Sequence, residues 1–147
     1  MEIQEIGTKE VLNKCSHLSV RVYNSNPWND AWTEEKAYER LSCYYNTPNF
    51  IGLVALEKEV ILGCLLGNIE PYFSGDYFYL KEMFVATNSQ RNGIGSKLIK
   101  HLKDHLITYN VNSILLFTSK DLFPYVFYKK IGFKPIDNMC IMDCKYE

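Results

Sequence analysis

The sequence predicts an α/β fold, a mixed sheet with helices on its faces. Three observations lead there. Some apolar stretches alternate or run unbroken over strand length and stop at turn residues. Others repeat at helical spacing. The two kinds are interleaved in the order β-α-α-β-β-β-α-β-α-β. A chain of 147 residues, 47% hydrophobic and 22% charged, has the balance of one folded domain with one core, here residues 1–147.

The elements follow in order. "EIQEI" at 2–6 alternates as a short strand does. Over 8–23, Val11, Leu12, Cys15, Leu18 and Val22 fall near one helical face. "NSNPWND" breaks that helix, and a second begins at 33, where Thr33 is a capping residue and Glu34 and Glu35 match the positive end of the helix dipole. "NFIGLVALE" and "VILGCLLGNIE" read as an antiparallel hairpin turning near Lys58. "YFYLKEMFV" at 77–85 is dense enough in apolar residues for a central strand covered on both faces. Leu98, Ile99, Leu102 and Leu106 mark the next helix. "SILLFTS" at 113–119 fits an interior strand, and "LFPYVFYKKIGF" a short helix opening near Pro124 and closing at Gly132. "NMCIMDCKY" alternates weakly and reads as a last strand.

Composition excludes several classes of function. The net charge of −1 gives no field for nucleic acid or an anionic membrane. No apolar run approaches the ~20 residues of a membrane span, and "MEIQEIGTKE" lacks the apolar centre of a signal peptide. The 5 cysteines, at 15, 43, 64, 140 and 144, form no Cys-x-x-Cys pair, which points to reduced thiols in a cytoplasmic protein without a metal site. Cys140 and Cys144 would lie ~13 Å apart on a straight strand, beyond disulfide reach. His101 and His105 stand at metal-binding spacing, but Leu102 occupies the place of the glutamate in the zinc-protease pattern, so they read as flanking residues.

The informative stretch is "VATNSQRNGIGSKLIKHL" at 85–102. Glycines 93 and 95 stand where a helix starts, and each costs about 1 kcal/mol against alanine inside a helix. A helix N-terminus carries unpaired N–H groups and partial positive charge, which phosphate oxygens fill if no side chains obstruct them. Arg91, Lys97 and Lys100 add charge nearby. The spacing fits neither a P-loop nor a dinucleotide fingerprint, whose third glycine would fall at Leu98. What remains is Gln90-x-x-Gly93-x-Gly95, for which a plain glycine-assisted turn is the alternative reading.

That segment resembles the acyl-CoA signature of the GNAT superfamily of N-acetyltransferases, and "FYKKIGFK" at 127–134 resembles the family's second signature at the expected distance. The resemblance is good over roughly 50–135 and reaches the first 45 residues only as two helices after a strand. It implies a mostly antiparallel central sheet with helices on both faces. It implies that Phe84 and Val85 offer backbone groups to pantetheine, and that the Gln90–Ser96 loop holds the pyrophosphate of acetyl-CoA through the N–H groups of Arg91, Asn92, Gly93, Ile94, Gly95 and Ser96. Tyr128 would lie near the thioester sulfur. The family often has Asn where Asp121 stands and a small residue where Pro124 stands; ionised Asp121 cannot donate a hydrogen bond, so no pantetheine contact is assigned to it.

Acetyl transfer to an amine requires a proton to leave the amine and the thiolate to be stabilised or protonated as it departs. Tyr128 is the candidate acid; its plain alternative is a core tyrosine. Glu82 is the candidate base, directly or through water. Strict alternation puts it on a face with Phe78, Leu80 and Phe84, where desolvation makes a carboxylate more basic; the alternative is an ion pair with Lys81 or an arginine. Glu70 and Asp76 flank the next loop, as solvated charges or as attraction for a cationic acceptor. Trp28, Trp32, Tyr72 and Phe73 would line an amine pocket by cation–π attraction, or else pack in the core or a homodimer. No cysteine or serine has motif support as a covalent nucleophile, so the reading is direct transfer to a primary amine of a small molecule or peptide. A non-catalytic acyl-CoA-binding module is the alternative from another class.

Overall fold

The computed structural model describes residues 1–146. The chain forms two compact units, Met1–Phe117 and a second beginning at Thr118. The first holds strand β1 (Glu2–Glu5), helices α1 (Lys9–Tyr23) and α2 (Glu34–Tyr45), strands β2 (Phe50–Glu57), β3 (Val60–Glu70) and β4 (Tyr77–Val85), a 3₁₀ turn (Thr87–Ser89), helix α3 (Ile94–Ile107) and strand β5 (Ile114–Leu115). The second holds helix α4 (Phe123–Lys130). Among the described residues no helix is long and apolar enough to cross a membrane.

Local chemistry starts these elements where the sequence says. The Thr8 hydroxyl accepts from the Val11 N–H at 3.2 Å and the Thr33 hydroxyl from the Lys36 N–H at 3.1 Å, bonds worth about 1 kcal/mol each to their helices. The β2–β3 hairpin turns on Lys58 and Glu59, both in the left-handed region (φ 49° and 67°), the backbone a two-residue hairpin loop needs to match strand twist.

The sheet runs β1-β2-β3-β4-β5, antiparallel except for the β4–β5 pair. Leu12, Cys15, Leu18 and Val22 of α1 and Leu41 of α2 pack with Val54, Cys64, Leu66 and Phe84 on one face. The other face takes α3: a Cβ added at Gly63, which points opposite to Cys64, would lie 3.2 Å from the Ile94 side chain. Leu98, Ile99, Leu102 and Leu106 are the buried stripe of α3. Helices therefore cover both faces of a mostly antiparallel sheet. Cutting a fully buried side chain such as Leu66 to alanine would cost about 2–5 kcal/mol.

Two features differ from the sequence reading. Only Ile114 and Leu115 of the 113–119 run pair, at the edge of the sheet rather than its interior; an apolar run reports burial, not how many neighbours a strand has. Residues 138–146 adopt no strand, and Met139, Ile141, Met142 and Tyr146 are exposed.

A third feature shapes β4. Leu66 pairs with Glu82, but Gly67 pairs with Leu80, so Lys81 is an extra residue, a β-bulge. The bulge reverses the alternation. Glu82 shares its face with Phe84, as expected, but not with Phe78 and Leu80: a Cβ on Gly67, on the α3 side, would strike the Phe78 ring. Pairing with β5 covers only Phe78 and Tyr79, so among the described residues β4 from Leu80 to Val85 has no ladder partner on that side.

Candidate active site

β4 leads into a loop closed on itself. The Gln90 side-chain amide donates to the Val85 carbonyl at 3.1 Å. Gln90 thus shapes the loop, and the Val85 oxygen keeps one lone pair. Arg91 (φ 66°) and Gly93 (φ 80°, ψ 7°) are left-handed, the backbone form from which anion-binding concavities are made. Gly93 caps α3 and supplies no side-chain cap. Its glycine is explained by its φ. Gly95 is not: it lies in the first turn of α3 with ordinary helical φ, so its missing side chain serves no conformational need. A glycine there leaves no side-chain bulk beside the first-turn N–H groups. Arg91, Asn92, Gly93, Ser96 and Lys97 are exposed, while Ile94 anchors the turn in the core. These features fit an acyl-CoA pyrophosphate.

The second cluster lies on the α1–α2 face of β4. The Glu82 side chain is only 12% exposed. Its Oε1 accepts from the Tyr23 hydroxyl at 3.1 Å, and its Oε2 from Arg40 Nε at 3.0 Å. The Tyr23 hydroxyl also lies 3.3 Å from the Met83 carbonyl. Burial pushes the Arg40 pKa down, but the hydrogen bond and charge of Glu82 outweigh it and raise it overall. The arginine pairing set out as the alternative for Glu82 is therefore present. Each carboxylate oxygen has accepted one bond and retains a lone pair for a water or an amine.

Aromatic rings hold the cations around Glu82. Arg40 lies over Trp32 (5.7 Å) and Tyr44 (5.4 Å); Lys81 lies over Tyr44 and Tyr79, both at 5.4 Å. Burial and the charge of Glu82 raise the Tyr44 pKa. Trp32 is fixed by Asn24, which bonds its N–H at 2.8 Å and its carbonyl at 2.9 Å. Trp28 packs edge-on against Tyr23, ring centres 5.2 Å apart.

Tyr72 and Phe73 belong elsewhere. They stack on each other at 4.8 Å, Phe73 is 92% exposed, and Tyr72 meets Tyr77, whose hydroxyl donates to Glu70 at 2.7 Å. That hydrogen bond, with burial, raises the Tyr77 pKa. Asn68 Nδ2 also reaches Glu70, at 3.3 Å. Glu70 stands four residues along β3 from the partner of Glu82, about 13 Å away. The pocket residues predicted from sequence thus divide, two beside Glu82 and two beside Glu70.

In the second unit, Tyr128 is buried on α4 and meets the rings of Phe127 and Phe133, each at 5.2 Å. Pro124 opens the helix and Gly132 (φ 105°) follows its end. Asp121 is exposed, its N–H bonded to the Ser119 hydroxyl at 3.2 Å.

Sequence reasoning missed Tyr23, Arg40, Tyr44 and Tyr79, and offered Lys81 only as an ion-pair partner of Glu82, whereas it lies over the Tyr44 and Tyr79 rings. Alternation even places Lys81 on the wrong face. The motif leading into α3 marks the neighbourhood, but nothing local names side chains that other elements bring in. His101 is exposed and His105 pairs with Glu5 at 3.3 Å. A groove of about 750 Å³ lies elsewhere, beside Met1, Lys14, Leu56 and Lys58, and contains no predicted site residue.

The pattern of the family described as "Acetyltransferase (GNAT) family" matches residues 17–133. No curated protein sequence matches the chain significantly. Among solved structures, aminoglycoside 6'-N-acetyltransferase AAC(6')-IG from Acinetobacter haemolyticus aligns over 100% of both chains at 15% identity, TM-score 0.77. An integron cassette protein from the mobile metagenome of V. cholerae aligns over 99% of this chain and 92% of its own at 22% identity, TM-score 0.78. Aminoglycoside N-acetyltransferase AAC(6')-Iy, solved in complex with CoA, aligns over 99% and 95% at 14% identity, TM-score 0.76. At these identities the likeness is one of fold.

Proposed function

The chain belongs to the acetyltransferase (GNAT) family, and from that premise we propose that it is a cytoplasmic acetyl-CoA-dependent N-acetyltransferase acting on a primary amine of a small molecule or peptide. Residues 1–147 act as one acetyltransferase domain in this reading; the family match runs through both compact units. The observation that carries the proposal is the glycine-capped start of α3, without a side-chain cap, one short loop after a strand whose last residues have an unpaired edge.

Acetyl-CoA supplies the activated acetyl group. The N–H groups of Arg91 to Ser96 hold its pyrophosphate, and backbone groups of Phe84 and Val85 align the pantetheine. Glu82 takes the proton the amine must lose, directly or through water, and Tyr23 and Arg40 hold the carboxylate in place. Trp28 and Trp32 wall the acceptor side near Glu82, with Tyr72 and Phe73 farther along. The amine nitrogen attacks the thioester carbon, the C–S bond breaks, and Tyr128 returns a proton to the departing thiolate.

The test is thiol release from acetyl-CoA across a panel of primary amines, alongside calorimetric titration with CoA. Turnover with at least one amine and CoA binding are expected. CoA binding with no turnover on any amine would replace the enzyme by a binding module; no CoA binding would remove both readings.

A further inference from the structure

The β-bulge puts a lysine where the sheet opens. Lys81 is its extra residue, and a bulge re-aims a side chain that alternation would send to the opposite face. Its Nζ lies over the rings of Tyr44 and Tyr79, both at 5.4 Å. Among the described residues no carboxylate lies within 4.0 Å of it. Ring faces stabilise the charge but leave an ammonium's N–H donors without oxygen acceptors. The adjacent acid, Glu82, is already bonded by Arg40 and Tyr23. Arg40 also lies over the Tyr44 ring, so this ring carries two cations while the one acid bonded there, Glu82, is already engaged. Glu70 is about 13 Å along the strand and receives Tyr77 and Asn68.

We propose that Lys81, seated between Tyr44 and Tyr79 with Arg40 beside it, binds an oxyanion of the acceptor. The acceptor is then an amine that also carries a carboxylate or a phosphate, not a polycation. This deepens the N-acetyltransferase reading and rests on it. A carboxylate or phosphate gives the lysine donors the acceptors they lack, whereas a second ammonium at this spot would meet two like charges.

The probes are an unsubstituted alkylamine, the ω-amino carboxylate, the aminoalkyl phosphate and the diamine, all of one chain length, assayed by thiol release from acetyl-CoA. The amino carboxylate or the aminoalkyl phosphate is expected to exceed the alkylamine in kcat/KM by on the order of tenfold, through KM. The two anionic probes tell carboxylate from phosphate. Lys81→Met should erase that ratio, Lys81→Arg should keep it, and Lys81→Glu should turn it towards the diamine, with circular dichroism confirming folding. A ratio unchanged in Lys81→Met, or a wild type that prefers the diamine, overturns the proposal. If no amine is acetylated, the enzyme reading fails on its own. Calorimetric titration of the CoA-loaded protein with the same probes then decides: binding of an anionic probe that Lys81→Met abolishes upholds the subsite, and no such binding overturns it.

Discussion

The loop entering α3 and the face of β4 beneath α2 follow one another along the chain and are built by opposite means. The loop is backbone. Its shape comes from Arg91 and Gly93 in left-handed conformations, a side-chain tie from Gln90 to Val85, and glycine at 95 where bulk would obstruct. The β4 face is side chains, drawn from α1 (Tyr23), α2 (Arg40, Tyr44) and β4 itself (Tyr79, Lys81, Glu82). A group common to all acyl-CoA substrates can be held by backbone, since every residue has an N–H. Recognition of one acceptor among many requires side-chain chemistry. In the proposed reading, that difference matches the loop to the shared substrate and the face to the distinctive one.

Breaking the loop should have the largest effect. Gly95→Glu places bulk and negative charge at the pyrophosphate, so CoA binding in calorimetry should fall below detection while circular dichroism shows a folded protein. Undiminished affinity in a folded variant would remove the loop from the site. Tyr128, marked like the loop by a short motif, comes next. Tyr128→Phe keeps the ring and loses the proton, so kcat should drop about 10²–10⁴-fold with CoA still bound; an unchanged kcat would dismiss it as the acid.

On the β4 face, Glu82→Gln keeps size but loses basicity. Its deficit in kcat/KM should be greatest at low pH, on the order of 10²-fold, and shrink as pH rises and the amine arrives already deprotonated. Parallel profiles with equal rates would leave Glu82 as an ion-pair partner only. The smallest effect is energetic. The Arg40 side chain is 48% exposed, so a double-mutant cycle of Arg40→Ala and Glu82→Ala, read by urea unfolding, should give a coupling of about 1 kcal/mol. A value near zero would mean that Arg40 does not hold Glu82, and the contrast between a backbone site and a side-chain site would lose its second half.

Much of this molecule is written locally. Thr8 and Thr33 cap helices, Lys58 falls in a hairpin turn, and Gly93 marks the start of α3, because capping, turn geometry and glycine freedom depend on a few successive residues. These settle the element order as far as α4 and, with the downstream Phe-Tyr-x-x-x-Gly-Phe segment, the family. Other features were decided only by packing. The bulge at Lys81 exists because Leu66 meets Glu82 while Gly67 meets Leu80, and that register is set by two strands and the helices on both faces. Tyr23 and Arg40 reach Glu82 from 59 and 42 residues away. Strand period and helix period follow from bonds along the chain, so a sequence displays them. Which side chains meet across elements follows from how whole faces exclude water, and that is determined only when the entire chain is folded.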